Sequence, residues 1–370
     1  MRVTLSLSED RDRTAVERAI AELRMGRPVI IESEDGGILV HGLEDLTAER
    51  AAQLEALSGG KARLVLPGAR LRRLGATGEN GTIPLPTIDL ARVRMLAFEL
   101  EARLDAPVGA VSRPDEVALE LARLALALPA VIVLPLDANA IAVDASLLRV
   151  PAEAVAGYRA AQAKHLSIVG RAPVPLDGAE KTEFVVFRGG EGLRDQVAVV
   201  VGEPDVGKPV AVRLHSACLT GDLFGSLKCD CGDQLRGSVH WMAENGGGIL
   251  LYLDQEGRGN GIANKIRAYR LQAQGYDTYD ADEMLGFGPD QRRFDFAAEM
   301  LRQLGDTQVR LITHNPDKIA ALTQAGLNVV SHQRTIARTT PENVRYLATK
   351  RDRAGHLIEI DKPALASGSD

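Results

Sequence analysis

All three cysteines of the chain fall within the run "CLTGDLFGSLKCDC", Cys218 to Cys231, with the third thiol at Cys229. Three thiols at that spacing suit a soft cation, zinc above all. Structural zinc sites take four protein ligands, and catalytic sites take three and leave a position for water. With no fourth cysteine, either a histidine (His215 or His240) or a water completes the set. The water option supplies a Lewis acid and an acidified water, although three thiolates acidify it less than three imidazoles do. The alternative is three inert thiols packed as small hydrophobes. The polar neighbours Asp222, Ser226, Lys228, Asp230, Asp233 and Gln234 favour a loop over a core strand.

A second set of residues suits an anionic ligand carrying a base. "RLHSACLTGD" follows a strand-like run and offers Arg213, His215, Ser216 and Thr220. "DQEGRGNGIANKIRAYRLQ" places Gly257, Gly259 and Gly261 ahead of a helix, where backbone N–H groups can meet a phosphate. Arg258 adds a fork for that phosphate, and Glu256 is a candidate acceptor for the N1–H and 2-amino edge of guanine. The bland reading is a tight strand-to-helix turn with a solvated acid. In "GFGPDQRRF", Asp290 and Arg292 pair a base with a phosphate clamp, or Asp290 simply caps the helix "RRFDFAAEMLRQLG". In "LITHNPDK", Thr313 and Lys318 sit at a strand's carboxyl end, the usual ligand crevice of α/β sheets, with Pro316 in the first helical turn.

These segments need a scaffold. The 370 residues suggest two domains, and 45% hydrophobic with 25% charged residues is an ordinary globular mix. Helical periodicity ("DRTAVERAIAELRMG", "RPDEVALELARLALAL") alternates with strand-like runs ("PVIIES", "AVIVLPL", "PVAVRLH", "GGILLYL"), giving an α/β (α+β) class. Helical runs start near Asp233, Asn260, Phe294 and Asp317. The stretch "GRAPVPLDGAE", 170–180, reads as a linker, placing the domains at 1–170 and 171–356 with a tail at 357–370. The net charge of -6 argues against a protein built to hold nucleic acid. The longest apolar run, "LALALPAVIVLPL", is too short and too Pro-broken to span a membrane. The N-terminus carries no secretory pattern, and few cysteines fit a reducing, cytoplasmic setting.

Five ordered motifs in the second half resemble GTP cyclohydrolase II: "RLHSACLTGDLFGSLKCDCGDQL", "YLDQEGRGNGIANKIRAYRLQ", "DTYDADEMLGFGPDQRRF", "LITHNPDK" and "NVRYLATKRDRAGH". The resemblance implies one Zn²⁺ per subunit on Cys218, Cys229 and Cys231, and Mg²⁺ with the GTP phosphates. It implies a GTP site of Arg213, Leu214, His215, Ser216, Ala217, Gln234, Glu256, Gly257, Arg258, Thr278, Thr313 and Lys318. Asp290 matches the family's proton acceptor, Arg292 its nucleophile toward the α-phosphate, and Tyr269 a tyrosine near the reacting ring. A guanidinium stays protonated, so electrostatic stabilisation rivals the nucleophilic role of Arg292. The resemblance further implies a homodimer. Ala217 stands where the family has Glu, and His314 where it has Asn.

The first half is similar, more faintly, to dihydroxybutanone phosphate synthase. Its acid-rich loop is reduced to Glu32, Glu34 and Asp35, and its Gly-His-Thr-Glu stretch reads Arg113, Pro114, Asp115, Glu116. Without the metal-binding His, this domain is expected to be catalytically dead. The competing expectations are a bifunctional enzyme and a GTP-binding zinc protein without turnover.

Overall fold

The computed structural model describes residues 11–34, 36–136, 146–190, 194–288, 290–313 and 315–333. Asp35, His314 and the motif "NVRYLATKRDRAGH" lie outside the described residues. Packing divides the chain into two compact units. The first comprises the described parts of Met1–Gln162 and Gly259–Gln291; the second comprises those of Ala163–Gly190, Arg194–Arg258 and Arg292–Asp370.

In the first unit, strands β1 (Val29–Ser33), β2 (Gly36–Gly42), β3 (Ala62–Leu66), β4 (Gly81–Leu85), β5 (Val131–Leu136) and β6 (Arg149–Pro151) form one sheet in the order β4-β3-β5-β2-β1-β6. Alternation sorts its side chains onto two faces. Val29 and Ile31 pack with α1 (Arg11–Arg24), α5 (Arg113–Leu124) and α6 (Ala152–Gln162), whereas Ile30 and Leu39 join the cluster of α2 (Ala48–Ser58) and α4 (Leu90–Phe98). Helix ends carry the expected signals. Thr47 caps α2, which stops at Gly59 in the left-handed region (φ 55°), and Ser112 and Asp115 form a reciprocal capping box on α5. The unit also holds α3 (Gly68–Arg73) and, from later in the chain, α9 (Ile262–Ala273) and α10 (Thr278–Met284).

The second unit is built on β7 (Ser167–Pro173), β8 (Thr182–Arg188), β9 (Gln196–Val201), β10 (Val210–Ser216), β11 (Gly248–Leu253), β12 (Gln308–Ile312) and β13 (Asn328–Gln333), ordered β13-β12-β10-β11-β9-β8-β7. The pairs among β13, β12, β10 and β11 are parallel and the rest antiparallel. One face carries Val210, Val212, Leu214, Ile249 and Leu251 against α11 (Asp295–Gln303) and α12 (Pro316–Gln324). The other face carries Ala211, Leu250 and Tyr252 against α8 (Cys231–Glu244). Arg213 and His215 continue the Ala211 row, so the strand period sends both to the α8 face.

Two local expectations are corrected. Residues 170–173 are not linker: they belong to β7, which pairs antiparallel with β8 at the sheet edge. An edge strand tolerates Pro and needs no apolar alternation, so its signal was weak. Asp290 does not cap a helix either. Helix α11 begins at Asp295, because the Gln255 side chain receives Arg293 N–H (3.1 Å) and donates to the Arg293 carbonyl (2.5 Å). That pairing occupies the Arg293 backbone just ahead of the helix.

Candidate functional site

The parallel strands β10, β11 and β12 end side by side, because β10 lies between the other two. Just beyond β10 comes Cys218, then the short helix α7 (Leu219–Asp222), and Cys229 and Cys231 at the start of α8. The three ligand sulfurs all lie within 4.8 Å of one another, and Cys218 Sγ is 3.7 Å from Cys229 Sγ. Tetrahedral zinc with about 2.3 Å bonds demands sulfur separations of about 3.8 Å, so the thiols fit the cation. Among the described residues no His, Asp or Glu joins the group. His215 is committed to Asp222 (3.0 Å) and His240 to the Asp177 carbonyl (2.9 Å). The set therefore matches the three-ligand pattern. The Cys218 thiol pushes that of Cys229 up to about 11, with burial adding to it; close thiols ionise together only with a cation to offset them.

Sequence reasoning gave no role of their own to three residues that build this centre: Gly221, Gly232 and Asp222, the last noted only as a polar neighbour of the thiols. A Cβ on Gly221 would lie 2.7 Å from Cys229 Sγ and 3.1 Å from Cys218 Sγ, so only glycine fits against the thiols. Gly232 is equally confined, its Cβ position falling 2.3 Å from the Gly221 carbonyl. Asp222 accepts from Cys218 N–H (2.9 Å), His215 Nε2 (3.0 Å) and the Tyr252 hydroxyl (3.0 Å). Tyr252 is opposite His215 in the β10–β11 register, and the rings stack at 5.6 Å. Burial and Asp222 raise the Tyr252 hydroxyl well above the usual phenol range. Burial lowers His215 against the pull of Asp222, which keeps the ring neutral near pH 7.

The expected GTP residues of this unit are mostly buried polar groups. Arg213 donates to the Ile312 carbonyl (3.0 Å) and to Gln234 Oε1 (2.5 Å), and burial pulls it down to about 10. Gln234 donates in turn to Asp230. Glu256 holds Leu219 N–H at 2.6 Å, tying the α7 start to the β11 end. Thr313 Oγ1 accepts from Asn315 N–H, and Lys318 Nζ donates to the Leu214 carbonyl at 2.6 Å. Lys318 and Arg292 both lie over the ring of Phe294, at 5.4 and 5.8 Å, so two cations converge on one apolar platform. The Leu214 side chain belongs to the core, leaving only its backbone to face a ligand, and Ala217 N–H bonds the Leu253 carbonyl. Arg213 Nε, His215 Nδ1 and Ser216 Oγ are buried without a protein partner. Such groups call for a polar ligand or water.

Gly257 and Arg258 both adopt left-handed backbone, at φ 64° and 66°. For Arg258 that is a strained conformation of the kind concentrated at functional turns. Tyr269 on α9, Thr278 at the start of α10 and Asp290 belong to the first unit. Lys265 Nζ lies 5.7 Å from the Tyr269 ring, Gln272 Nε2 donates to Thr278 Oγ1 at 3.4 Å, and Asp290 is exposed.

In the first half, Asp115 is consumed by structure: it completes the α5 capping box and accepts from Arg63 at 2.7 Å. Glu32 pairs with Arg149 at 2.9 Å. No helix of the described residues is long and apolar enough to cross a membrane.

A family model described as GTP cyclohydrolase II matches residues 167–334. A GTP cyclohydrolase-2 of Xylella fastidiosa (strain Temecula1) is 44% identical over 355 residues, covering 95% of this chain and 89% of that protein. One from Azospirillum brasilense is 42% identical over 362 residues, covering 93% and 94%. A shorter GTP cyclohydrolase-2, from Klebsiella pneumoniae (strain 342), is 50% identical over 171 residues, covering 46% of this chain and 85% of its own length. A solved two-domain 3,4-dihydroxy-2-butanone 4-phosphate synthase from A. baumannii aligns at 17% identity and a TM-score of 0.33, covering 87% of this chain and 99% of that one.

Proposed function

This chain belongs to the GTP cyclohydrolase II family, and we propose that it hydrolyses GTP to 2,5-diamino-6-(5-phosphoribosylamino)pyrimidin-4(3H)-one, formate and pyrophosphate, the first step of riboflavin biosynthesis. The observation that carries the reading is the three-thiol cluster at the carboxyl end of β10, beside buried Arg213, Gln234, Glu256 and Lys318.

Cys218, Cys229 and Cys231 would hold Zn²⁺, which supplies a Lewis acid at guanine C8 when bound. Glu256 accepts from the N1–H and 2-amino edge, and Gln234 and Arg213 line the base side. Arg258, Arg292, Lys318 and Thr313, with Mg²⁺, take the phosphates. The remaining proposed GTP contacts are Leu214 and Ala217 through their backbone, His215, Ser216, Gly257 and Thr278.

The balance needs three waters. One adds at C8 and the C8–N9 bond breaks; a second hydrolyses the resulting formamide, freeing formate and the ring amine. Asp290 accepts the proton of an attacking water, and Tyr269 moves protons to the departing nitrogens. A third water cleaves the α–β anhydride, and the cations absorb the charge that develops on pyrophosphate. Arg292 acts here as a stabiliser, since a guanidinium keeps its proton at working pH.

The first half is read as a synthase-like domain without its own reaction. Asp115 and Glu32 are tied into structural pairs, and the 113–116 stretch has no His. Reduced thiols favour the cytoplasm. The exposed Leu223, Phe224 and Leu227 (70%, 74% and 61%) offer apolar surface for a homodimer.

The test is purified protein with GTP and Mg²⁺. Formate, pyrophosphate and the diaminopyrimidine are expected together, and the absence of all three sinks the reading. Consumption of ribulose 5-phosphate would instead show a bifunctional enzyme. GTP binding without turnover would point to a binding protein.

A further inference from the structure

The segment from Gly259 to Gln291 carries Tyr269, Thr278 and Asp290, yet it packs with the first half of the chain. Its two ends are gripped differently. At the front, Gly261 takes φ 84°, and a Cβ there would lie 3.1 Å from Leu126 Cβ. Leu126 is itself left-handed (φ 56°), and its carbonyl accepts from Asn264 Nδ2 at 3.0 Å. Arg267 adds an ion pair to Glu44. At the back, a Cβ on Gly286 (φ 84°) would fall 2.8 Å from Pro67 Cγ and 3.3 Å from Pro129 Cγ.

The centre of the back grip is Arg70, 2% exposed on α3. Its guanidinium donates to the carbonyls of Leu96 (2.8 Å), Glu99 (2.7 Å) and Met95 (3.2 Å), at the end of α4. It also donates to the carbonyl of Met284 (3.3 Å), the last residue of α10. A cation between two helix C-termini is favoured by both dipoles. Burial lowers Arg70 only to about 10, so it stays charged near neutral pH. Around it, Arg73 reaches Asp280 (2.6 Å) and Glu283 (2.8 Å), and Arg72 reaches Glu283 (2.8 Å). Those outer pairs are partly solvated and contribute little alone. Arg70 is the buried one, and removing its fork leaves carbonyls unsatisfied.

We propose that Arg70 is a positioning residue for the cyclohydrolase reaction, through which the first half of the chain holds the segment bearing Tyr269, Thr278 and Asp290 in register. The inference rests on the reading above, in which Tyr269 and Asp290 serve the chemistry at C8. A misplacement of about 1 Å in such a segment costs about 100-fold in rate. Anhydride cleavage is assigned to Arg292, Lys318 and Thr313, which belong to the other unit. Loosening the grip therefore slows formate release more than pyrophosphate release.

The experiment uses the full chain with zinc and two variants. Arg70→Lys keeps the charge and loses the fork, while the double variant Arg72→Ala/Arg73→Ala removes only the outer pairs. Formate and pyrophosphate are measured from the same GTP reaction, with bound zinc counted. The expected result is a fall in formate per pyrophosphate of about threefold or more for Arg70→Lys and a smaller fall for the double variant, at unchanged zinc. A partly unfolded preparation lowers both products together and leaves their ratio alone. If Arg70→Lys does not fold, the double variant and Asn264→Ala decide by the same ratio. A wild-type ratio in every variant that folds overturns the proposal. Wild-type protein that makes no formate overturns the underlying reading instead.

Discussion

The two sheets bury polar groups in different ways. In the first, the buried Arg70 and Asp115 are spent on helix ends and a capping box, and its buried polar atoms without a protein partner, such as His41 Nε2 on β2 and Gln162 Nε2 at the end of α6, sit on separate elements. In the second, Arg213, His215, Gln234, Glu256, Thr313 and Lys318 are buried around strand ends, and several polar atoms have no protein partner. Buried polarity costs free energy unless it is bonded. Unpartnered atoms occur in both units, but only in the second do Arg213, His215 and Ser216 bring theirs together at the end of one strand, and that convergence marks a place kept for something else.

The harshest test of that contrast sets Cys229→Ser against Glu32→Gln. The first is expected to lose bound metal and lower turnover by about 1,000-fold or more, as for loss of a catalytic metal ligand, while the second stays within about twofold. Metal analysis with a formate assay reads both, and equal losses would erase the distinction. Next comes Asp222→Asn, which keeps one acceptor of three bonds and should weaken metal affinity about 10–100-fold. A competitive chelator titration measures it, and unchanged affinity would reduce Asp222 to a packing residue. Gly221→Ala forces the thiols apart and should cost about 1–3 kcal/mol of stability with the metal bound. Thermal unfolding with and without a chelator checks whether that penalty is confined to the metal-bound form.

The mildest prediction concerns Asp306, fully buried between α11 and β12 and raised by burial to about 6 from the ordinary 3.8. Between those values the unfolded chain gives up the proton that the folded carboxyl keeps. This group's contribution therefore falls as pH rises through the window and levels off above about 6. Asp306→Asn removes that dependence, so its stability advantage should grow from pH 4 to pH 7 by about 1–2 kcal/mol. Denaturant melts at both pH values decide, and a gap that shrinks with rising pH contradicts the assignment.

Much of the centre was legible because its ligands are close in sequence and chemically distinctive. The thiols, the glycine-rich turn and the strand-end Arg213 and Lys318 could all be named from residue type and spacing. Asp222 and Tyr252 could not be joined that way. They are 30 positions apart, and only the parallel register of β10 and β11 brings His215 and Tyr252 abreast. Gly221 has no side chain to announce itself, and its role is the space it leaves. The β7 edge was read as linker because an exposed edge strand needs no apolar pattern. The non-helical start of 292–294 depends on Gln255, 38 residues upstream of Arg293.

The cluster of Leu128 with Ala268, Leu271, Ala281, Met284, Leu285 and Phe287 has one further consequence. A gene cut after residue 162 would not release two self-sufficient proteins. The downstream product would inherit an oily flank that Leu128 and Phe98 now cover, and with it a tendency to stick to itself.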